Sequence, residues 1–266
     1  MPEMIYPISP VDLEEDFLLE KLYLNLDRTF YWSDDWDPDF YVALARAGFI
    51  SISQQNPEHE TLLLPELQLR YAVLDWENLH ISGHVQKLMR SGRLEEEEIE
   101  LHVIRDHQRV LDRVLDYHGR DSTWLTKPYR DLLERLPTGE RGDFALHGVE
   151  LWSRKQDLLV AGEFGYTLGR IYTSLSGFCT RPALEWRGFG TLQMVLLAKR
   201  LKERGFAFWN MGHPSQAYKC ALGARLLDRR AFLDRWLGAR DALPDRSLVQ
   251  GKESPTSSRT SLYPEK

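Results

Sequence analysis

Cysteine is scarce in this chain, and several familiar signals are missing. Two cysteines in 266 residues, Cys179 and Cys220, are too few for a disulfide framework or a four-cysteine metal site, and both are predicted to be buried thiols. No apolar run approaches the roughly 20 residues that a membrane-spanning helix needs. The first residues lack a basic region followed by an apolar run, so no secretory signal is expected. These absences predict a cytoplasmic globular protein with no metal site.

Positive charge is also in the minority. The chain carries 34 Lys and Arg against 40 Asp and Glu, a formal net charge of −6. A bulk polycation of the histone type is therefore excluded, whereas a local basic patch that meets RNA is still allowed. Apolar residues make up 42% of the chain, which is enough for a buried core and excludes a wholly disordered protein.

Periodicity and breaks along the chain predict an α+β fold in two parts. A Pro/Gly-rich break at residues 136–142 separates a smaller N-terminal α/β domain, residues 1–136, from a second domain, residues 143–240. The predicted strands are residues 49–54, 62–64, 69–75, 99–103, 146–152, 158–165, 170–176 and 206–210, and the predicted helices are residues 38–47, 82–92, 110–115, 132–136, 188–204, 217–222 and 229–237. A strand meander, a long helix, a strand and a helix predict a mostly antiparallel central sheet in the second domain. Polar composition predicts a disordered tail over residues 245–266.

A glycine-rich motif, Arg-Gly-Phe-Gly-Thr at residues 187–191, opens the predicted long helix. Glycines there would let a phosphate approach the free N–H groups of the first turn, at the positive end of the helix dipole. The motif resembles the acyl-CoA loop of the GNAT acyltransferase superfamily, which implies acetyl-CoA or acyl-CoA binding. The cofactor-binding residues would be Arg187, Gly188 and Gly190. In such enzymes a tyrosine near Tyr218 often serves as general acid and a glutamate at the place of Glu163 as base. Tight packing of helix against strand explains the glycines equally well.

A longer resemblance runs from about residue 28 to residue 236. Its pieces keep their order and spacing: Asp-Pro at 37–38, Ala-Leu-Ala-Arg-Ala-Gly at 43–48, Leu-His-Ile-Ser at 79–82, Thr-Trp-Leu-Thr-Lys at 123–127, Gly-Val-Glu-Leu-Trp at 148–152 and Leu-Gly-Ala at 222–224. With these pieces the chain resembles the bacterial leucyl/phenylalanyl-tRNA–protein transferases, and this implies a GNAT-like second domain. It also implies an aminoacyl-tRNA donor, the N-terminal amine of a protein or peptide as acceptor, and no cofactor.

The resemblance also implies a set of substrate-binding residues. Trp124 matches a family tryptophan at the site of the tRNA's terminal adenosine, where an indole can stack on a base, and Thr126 lies in the same matching segment. Phe164 and Tyr172 fall where the family has aromatics near its apolar amino-acid pocket. Glu163 replaces a methionine beside that pocket, so either a cationic or polar acyl group is accepted there or the glutamate pairs with an arginine.

The family's catalytic residues are not all present. Asn210-Met211-Gly212 replaces Asp-Cys-Gln, Leu175 stands where a glutamate is expected, and Ile52 replaces a tryptophan. An asparagine can orient an amine but cannot take its proton at neutral pH. The catalytic candidates are Asn210, Glu163 and Tyr218, with His213 as a further candidate for the lost proton acceptor.

Three functions stay open on the sequence alone. The first is an aminoacyl-tRNA–protein transferase with an altered site, the second an acyl-CoA-dependent N-acyltransferase, and the third a non-catalytic protein that binds aminoacyl-tRNA or a protein N-terminus. The longer resemblance favours the first. Basic residues between Lys87 and Arg130, interleaved with Trp124 and Tyr129, are consistent with an RNA-binding face, and a salt-bridged surface explains them about as well.

Overall fold

The computed structural model describes residues 5–120, 123–136, 144–180 and 184–249. Residues 137–142 of the predicted boundary and 250–266 of the predicted tail lie outside these ranges. The strands are β1 (Tyr6–Pro7), β2 (Tyr31–Trp32), β3 (Ile50–Gln55), β4 (Thr61–Glu66), β5 (Arg70–Leu74), β6 (Ile99–Ile104), β7 (Ala145–Ser153), β8 (Leu158–Leu168), β9 (Ile171–Cys179), β10 (Phe208–Asn210) and β11 (Arg225–Asp228). The helices are α1 (Val11–Glu14), α2 (Asp16–Leu24), α3 (Pro38–Arg46), α4 (Gly83–Arg90), α5 (Arg93–Glu96), α6 (Gln108–His118), α7 (Lys127–Arg135), α8 (Phe189–Glu203), α9 (Ala217–Ala221) and α10 (Arg229–Ala239).

A seven-stranded sheet in the order β11-β5-β10-β9-β8-β7-β6 organises the molecule. Its neighbouring strands are antiparallel except β9 and β10, which run parallel. Two small sheets, β1–β2 and β3–β4, lie outside it. The predicted α+β class with a large, mostly antiparallel sheet is therefore confirmed.

Strands from both sides of the predicted domain boundary share this sheet. β5 pairs with β10 and β11, and β6 pairs with β7, so both early strands find their partners later in the chain. The division into residues 1–136 and 143–240 stays a prediction.

Hydrophobic side chains cover both faces of the large sheet. On one face, here called the α8 face, Leu192, Val195 and Leu201 of α8 pack with Trp209. On the opposite face, here called the α10 face, Trp236 of α10 packs in a cluster that includes Phe208, Leu44 of α3 and Val114 of α6. Successive residues of a strand point to opposite faces. Neighbours such as Phe208 and Trp209 therefore belong to different cores.

Local signals predict the start of α3 correctly. Asp37 caps α3 by accepting hydrogen bonds from the backbone N–H groups of Asp39 and Phe40, and Pro38 occupies the first turn, as predicted. The prediction of two buried thiols was wrong for Cys220, which is exposed, whereas Cys179 is half-buried. On the short helix α9 it is Lys219, not Cys220, that turns inward.

A buried arginine ties the N-terminal segment to the body of the protein. Arg229, at the start of α10, is only 1% exposed. Its guanidinium donates to the carbonyl oxygens of Gln68 at 3.1 Å, Arg28 at 2.9 Å and Leu22 at 3.4 Å, and further bonds reach Asn25 and Leu67. One side chain thus joins the end of α2, the chain before β2 and the turn before β5.

Candidate active site

Glu163 lies at the centre of a buried polar network on the α8 face. Its Oε1 atom accepts hydrogen bonds from the hydroxyl groups of Tyr172 at 3.0 Å and Ser174 at 2.7 Å. Its Oε2 atom accepts one from Nε2 of Gln193 at 3.4 Å, and the indole of Trp209 donates to the Ser174 hydroxyl at 2.7 Å. We call these five residues the Glu163 network. β8, β9, β10 and α8 each contribute to it.

β9 has a β-bulge next to the Glu163 network. Phe164 pairs with Ser176 and Gly165 pairs with Ser174, which leaves Leu175 as the extra residue. Leu175 packs against the core of the α10 face. The position at which the family was expected to carry a glutamate is therefore an apolar bulge residue beside the network.

Burial and neighbouring charges tune the ionisation of this site. Burial raises the pKa of Glu163 to about 6, against the lowering effect of its hydrogen bonds and of the charge on Lys219. Burial, and then the charge on Glu163, raise the pKa of Tyr218 to about 12. Burial lowers the pKa of Lys219 to about 8, and Glu163 opposes that shift. Near neutral pH the site therefore combines a carboxylate that can take a proton with a phenol that keeps its own.

The short helix α9 carries Tyr218 and Lys219 to this place. The Lys219 ammonium donates to the carbonyl oxygen of His213 at 2.7 Å, which folds the loop after β10 back on itself. Tyr218 is 47% exposed, so a substrate in solvent can reach it. Tyr218, one of the predicted catalytic residues, lies near enough to Glu163, another of them, for the charge on Glu163 to raise its pKa.

Asn210, the third predicted catalytic residue, lies on the other face of the sheet. Its Nδ2 atom donates to the Thr173 hydroxyl at 3.4 Å, and its Oδ1 atom accepts from the backbone N–H of Gly212 at 3.0 Å. The side chain is fully buried. Asn210 therefore does not join Glu163, and its amide instead shapes the turn that leads from β10 towards α9.

The predicted substrate-binding residues are also divided between the two faces. The ring of Trp124 lies over Phe164 with centroids 6.4 Å apart and meets Tyr129 edge-on at 5.0 Å. Thr126 shares a 2.7 Å hydrogen bond with Ser53, whose hydroxyl also bonds to the carbonyl of Trp124. These residues lie on the α10 face, whereas Tyr172 belongs to the Glu163 network.

The glycine motif at the start of α8 is packed against neighbouring side chains. Gly188 has φ +91°, a conformation that favours glycine, and a Cβ atom there would lie 2.7 Å from the ring of His84. The same histidine ring lies 3.2 Å from the carbonyl oxygen of Arg187, and a Cβ atom on Gly190 would lie 3.1 Å from Cys179. Tight packing accounts for both glycines, and Arg187 beside them is exposed.

Four residues of the site escaped sequence reasoning: Ser174, Gln193, Trp209 and Lys219. A signal existed for Gln193, which is a polar residue at a buried position of a long apolar helix. Lys219 directly follows the predicted Tyr218, although nothing in its own sequence context marked it as buried. The positions of Ser174 and Trp209 depend on the pairing of strands, which has no local signature.

The predicted basic face is largely occupied by internal partners. Arg120 pairs with Asp116 at 2.8 Å, Lys127 with Asp131 at 2.6 Å, and Arg109 lies 3.6 Å from Glu150. These contacts favour the salt-bridged surface over a free RNA-binding face in this region. Among the described residues, no group of three or more His, Cys, Asp or Glu side chains could hold a metal ion. In the same part of the chain, none of the helices has the length and apolar character to cross a membrane.

Comparison with known proteins identifies the family. A family model described as leucyl/phenylalanyl-tRNA protein transferase matches residues 73–236. The leucyl/phenylalanyl-tRNA–protein transferase of Pseudomonas paraeruginosa (strain PA7) is 30% identical over 224 residues, which cover 80% of this chain and 86% of that protein. The enzyme of the same name from Pseudomonas syringae pv. tomato is 28% identical over 224 residues, covering 81% of this chain and 86% of that protein. Among solved structures, L-PGS from Bacillus licheniformis matches with a TM-score of 0.40 and 15% identity, over 88% of this chain and 72% of that one.

The matched family model and the relatives define a transferase of the aminoacyl-transferring kind. The chain belongs to the leucyl/phenylalanyl-tRNA protein transferase family. The matched residues 73–236 run from the middle of β5 into α10 and contain the whole Glu163 network. The family suggested by the sequence is confirmed.

Proposed function

We propose that this chain moves an amino acid from an aminoacyl-tRNA to the N-terminal amine of a protein or peptide. The observation that carries the proposal is the family match over residues 73–236, because that span includes Glu163, Tyr218 and every side chain around them. The names of the relatives specify a tRNA-bound amino acid and a protein as the two substrates.

The proposed reaction is the aminolysis of an ester. The acceptor nitrogen forms an amide bond with the aminoacyl carbonyl carbon, and the bond from that carbon to the ribose oxygen breaks. The nitrogen loses one proton and the departing oxygen gains one. Because the ester is already activated, holding the amine against it supplies much of the acceleration.

Glu163 is the proposed acceptor of the amine proton, and Tyr218 the proposed donor to the departing oxygen. A pKa of about 6 leaves Glu163 ionised at neutral pH and still basic enough to take a proton. A pKa of about 12 keeps Tyr218 protonated until the ribose oxygen needs its proton. The cation of Lys219 favours the ionised form of Glu163. After each turnover the proton on Glu163 restores the phenol, directly or through water.

A measurement of thermal stability distinguishes aminoacyl-tRNA from acetyl-CoA as the donor substrate. Aminoacyl-tRNA at 100 times its dissociation constant is expected to stabilise the folded protein by about 2.7 kcal/mol, and acetyl-CoA is expected to leave the melting temperature unchanged. Differential scanning fluorimetry with a panel of leucyl-, phenylalanyl-, lysyl- and arginyl-tRNA checks this and tests whether Glu163 selects a polar acyl group. A melting shift with acetyl-CoA alone would support the competing GNAT-type acyltransferase. Stabilisation by charged tRNA without transfer of labelled amino acid to basic N-terminal peptides would support a binding protein.

Trp124 offers a second test of the tRNA-bound state. If Trp124 stacks on the terminal adenosine, Trp124→Ala weakens the aminoacyl-tRNA complex about tenfold, because base stacking on an aromatic ring contributes roughly 1–3 kcal/mol. Trp124 lies on the α10 face, so that result would place the adenosine across the sheet from the Glu163 network and would count against Glu163 as the proton acceptor. Filter binding at fixed salt measures the effect. Trp152→Ala is the matched control, since that tryptophan is also half-buried but donates to Glu150 on β7. Equal affinities of the two variants would return Trp124 to a purely structural role.

A further inference from the structure

A cavity of about 280 Å³ opens at the end of the sheet where β9 and β10 begin. Seven residues line it: Arg170, Ala207, Phe208, Arg235, Gly238, Ala239 and Ala242. Both charged residues of this lining are arginines, and the others are apolar with small side chains except Phe208. The cavity lies at the Phe208 end of β10, whereas Asn210 is the last residue of that strand and the loop to α9 follows it. It is therefore separate from the Glu163 network.

Arg170 is held so that part of its guanidinium is available. Its Nε atom donates to the carbonyl of Gly205 at 3.0 Å, and its backbone N–H donates to the carbonyl of Ala239 at 3.1 Å. Within the described ranges the structure gives its two terminal amino groups no hydrogen-bond partner. Anchoring through Nε fixes the side chain while two N–H-bearing nitrogens are left to bind a ligand.

Arg235 is equally fixed, and it brings an aromatic surface with it. Its guanidinium lies over the ring of Phe208, 4.7 Å from the centroid, and its terminal nitrogens bind the carboxylate of Asp75, one of them at 3.1 Å. Asp75 does not line the cavity. Of the seven lining residues only the two arginines are charged, and Asp75 pairs with one of them.

Two terminal carbonyl oxygens of α10, beside the cavity, already have hydrogen-bond donors. The carbonyl of Ala239 already accepts hydrogen bonds from Arg170 and Ala242, and the carbonyl of Trp236 accepts one from Arg240. The helix dipole still places partial negative charge at this end of α10, so an anion here must be held by the two guanidinium groups. A planar guanidinium pair beside an open, small-residue floor suits the oxygens of a phosphate group.

We propose that this cavity binds a phosphate group, carried either by an RNA backbone or by a small phosphorylated molecule. The proposal does not depend on aminoacyl transfer, since it uses no residue of the Glu163 network. In the RNA case the site adds an anchoring point for the tRNA at a distance from the reacting ester. In the other case it is a separate ligand site.

Two variants test the site in complementary ways. Arg170→Gln removes the available charge. Gly238→Glu places a carboxylate at the cavity wall without removing either arginine, and a Cβ atom at Gly238 meets nothing within 4 Å. Arg246→Gln is the control, because Arg246 is exposed and does not line the cavity. The second variant keeps the test decisive if the first one folds poorly.

The first measurement is a melting curve with inorganic phosphate against chloride at constant ionic strength. Phosphate is expected to raise the melting temperature of the parent and of Arg246→Gln, and to lose this effect in both cavity variants.

The second measurement is the salt dependence of binding to uncharged tRNA. If RNA supplies the phosphate, the slope of log affinity against log salt falls by about one in both cavity variants. A lost phosphate response with unchanged tRNA binding assigns the site to a small molecule. Equal behaviour of all four proteins in both measurements overturns the proposal. Neither measurement involves aminoacyl transfer. Both results can therefore be interpreted even if the protein proves not to transfer amino acids.

Discussion

Arg229→Met is expected to lower the free energy of unfolding by about 3–5 kcal/mol, because the substitution leaves several buried carbonyl oxygens without a donor. The guanidinium serves carbonyls from three separate stretches of chain, among them Leu22, Arg28 and Gln68. Urea unfolding followed by tryptophan fluorescence measures the change. Arg229→Lys should recover only part of it, since an ammonium offers three donors without the planar fork.

Arg230→Met is the matched control for this experiment. Arg230 is the next residue of α10 and is exposed, so its replacement should change stability by no more than about 0.5 kcal/mol. If the two methionine variants unfolded at the same urea concentration, Arg229 would not hold the N-terminal segment in place.

Glu163→Gln is expected to reduce the rate of aminoacyl transfer about 100-fold or more, since it removes the proposed proton acceptor while keeping the shape of the side chain. In the parent protein kcat/KM should fall as the pH drops below about 6, the pKa of Glu163. The variant should lose this acid limb, and pH profiles of both proteins with one charged tRNA check it. Glu203→Gln, at the exposed end of α8, is the control. An unchanged rate in Glu163→Gln would place the proton acceptor elsewhere.

Glu163→Gln is also expected to change how the free energy of unfolding depends on pH. Burial raises the pKa of Glu163 from 4.5 to about 6, so the folded state favours the protonated carboxyl. Protonated Glu163 therefore contributes about 2 kcal/mol to the free energy of unfolding of the parent protein below pH 4.5. This contribution is lost as the pH rises through 6. Glu163→Gln should lack this loss, and unfolding measured at several pH values in that window tests it.

Elements with strong local signals could be predicted from the sequence. The cap at Asp37, the long amphipathic pattern of α8 and the polar turn between β7 and β8 each depend on residues that are close together in the chain. α2 was not predicted, although Leu19, Leu22 and Tyr23 recur at helical spacing, and in the structure they pack half-buried against the core of the α10 face. β11 was missed because it is short and mostly exposed, and only its pairing with β5 defines it as a strand.

The candidate site could be predicted only in part for a related reason. Glu163 and Tyr218 were found from resemblance, and in the structure the charge on Glu163 contributes to the raised pKa of Tyr218. Glu163 and Phe164 are neighbours in sequence, yet strand geometry sends them to opposite faces. The separation of Asn210 from Glu163 follows from which strands pair and in which register, and neither is written in any local pattern. The bulge at Leu175 is equally non-local.

The placement of β5 between β10 and β11 has a consequence during synthesis on the ribosome. Residues Arg70–Leu74 emerge long before Phe208–Asn210 and Arg225–Asp228, the two segments that flank them in the finished sheet. Until then the nascent polypeptide must carry Tyr71, Val73 and Leu74, all fully buried in the native protein, without their strand neighbours. Pairing between strands that are far apart in sequence slows folding and leaves aggregation-prone intermediates with exposed apolar side chains. Chaperone binding to ribosome-stalled chains of increasing length should therefore decline only when the emerged chain extends past residue 228, because β11 can then pair with β5.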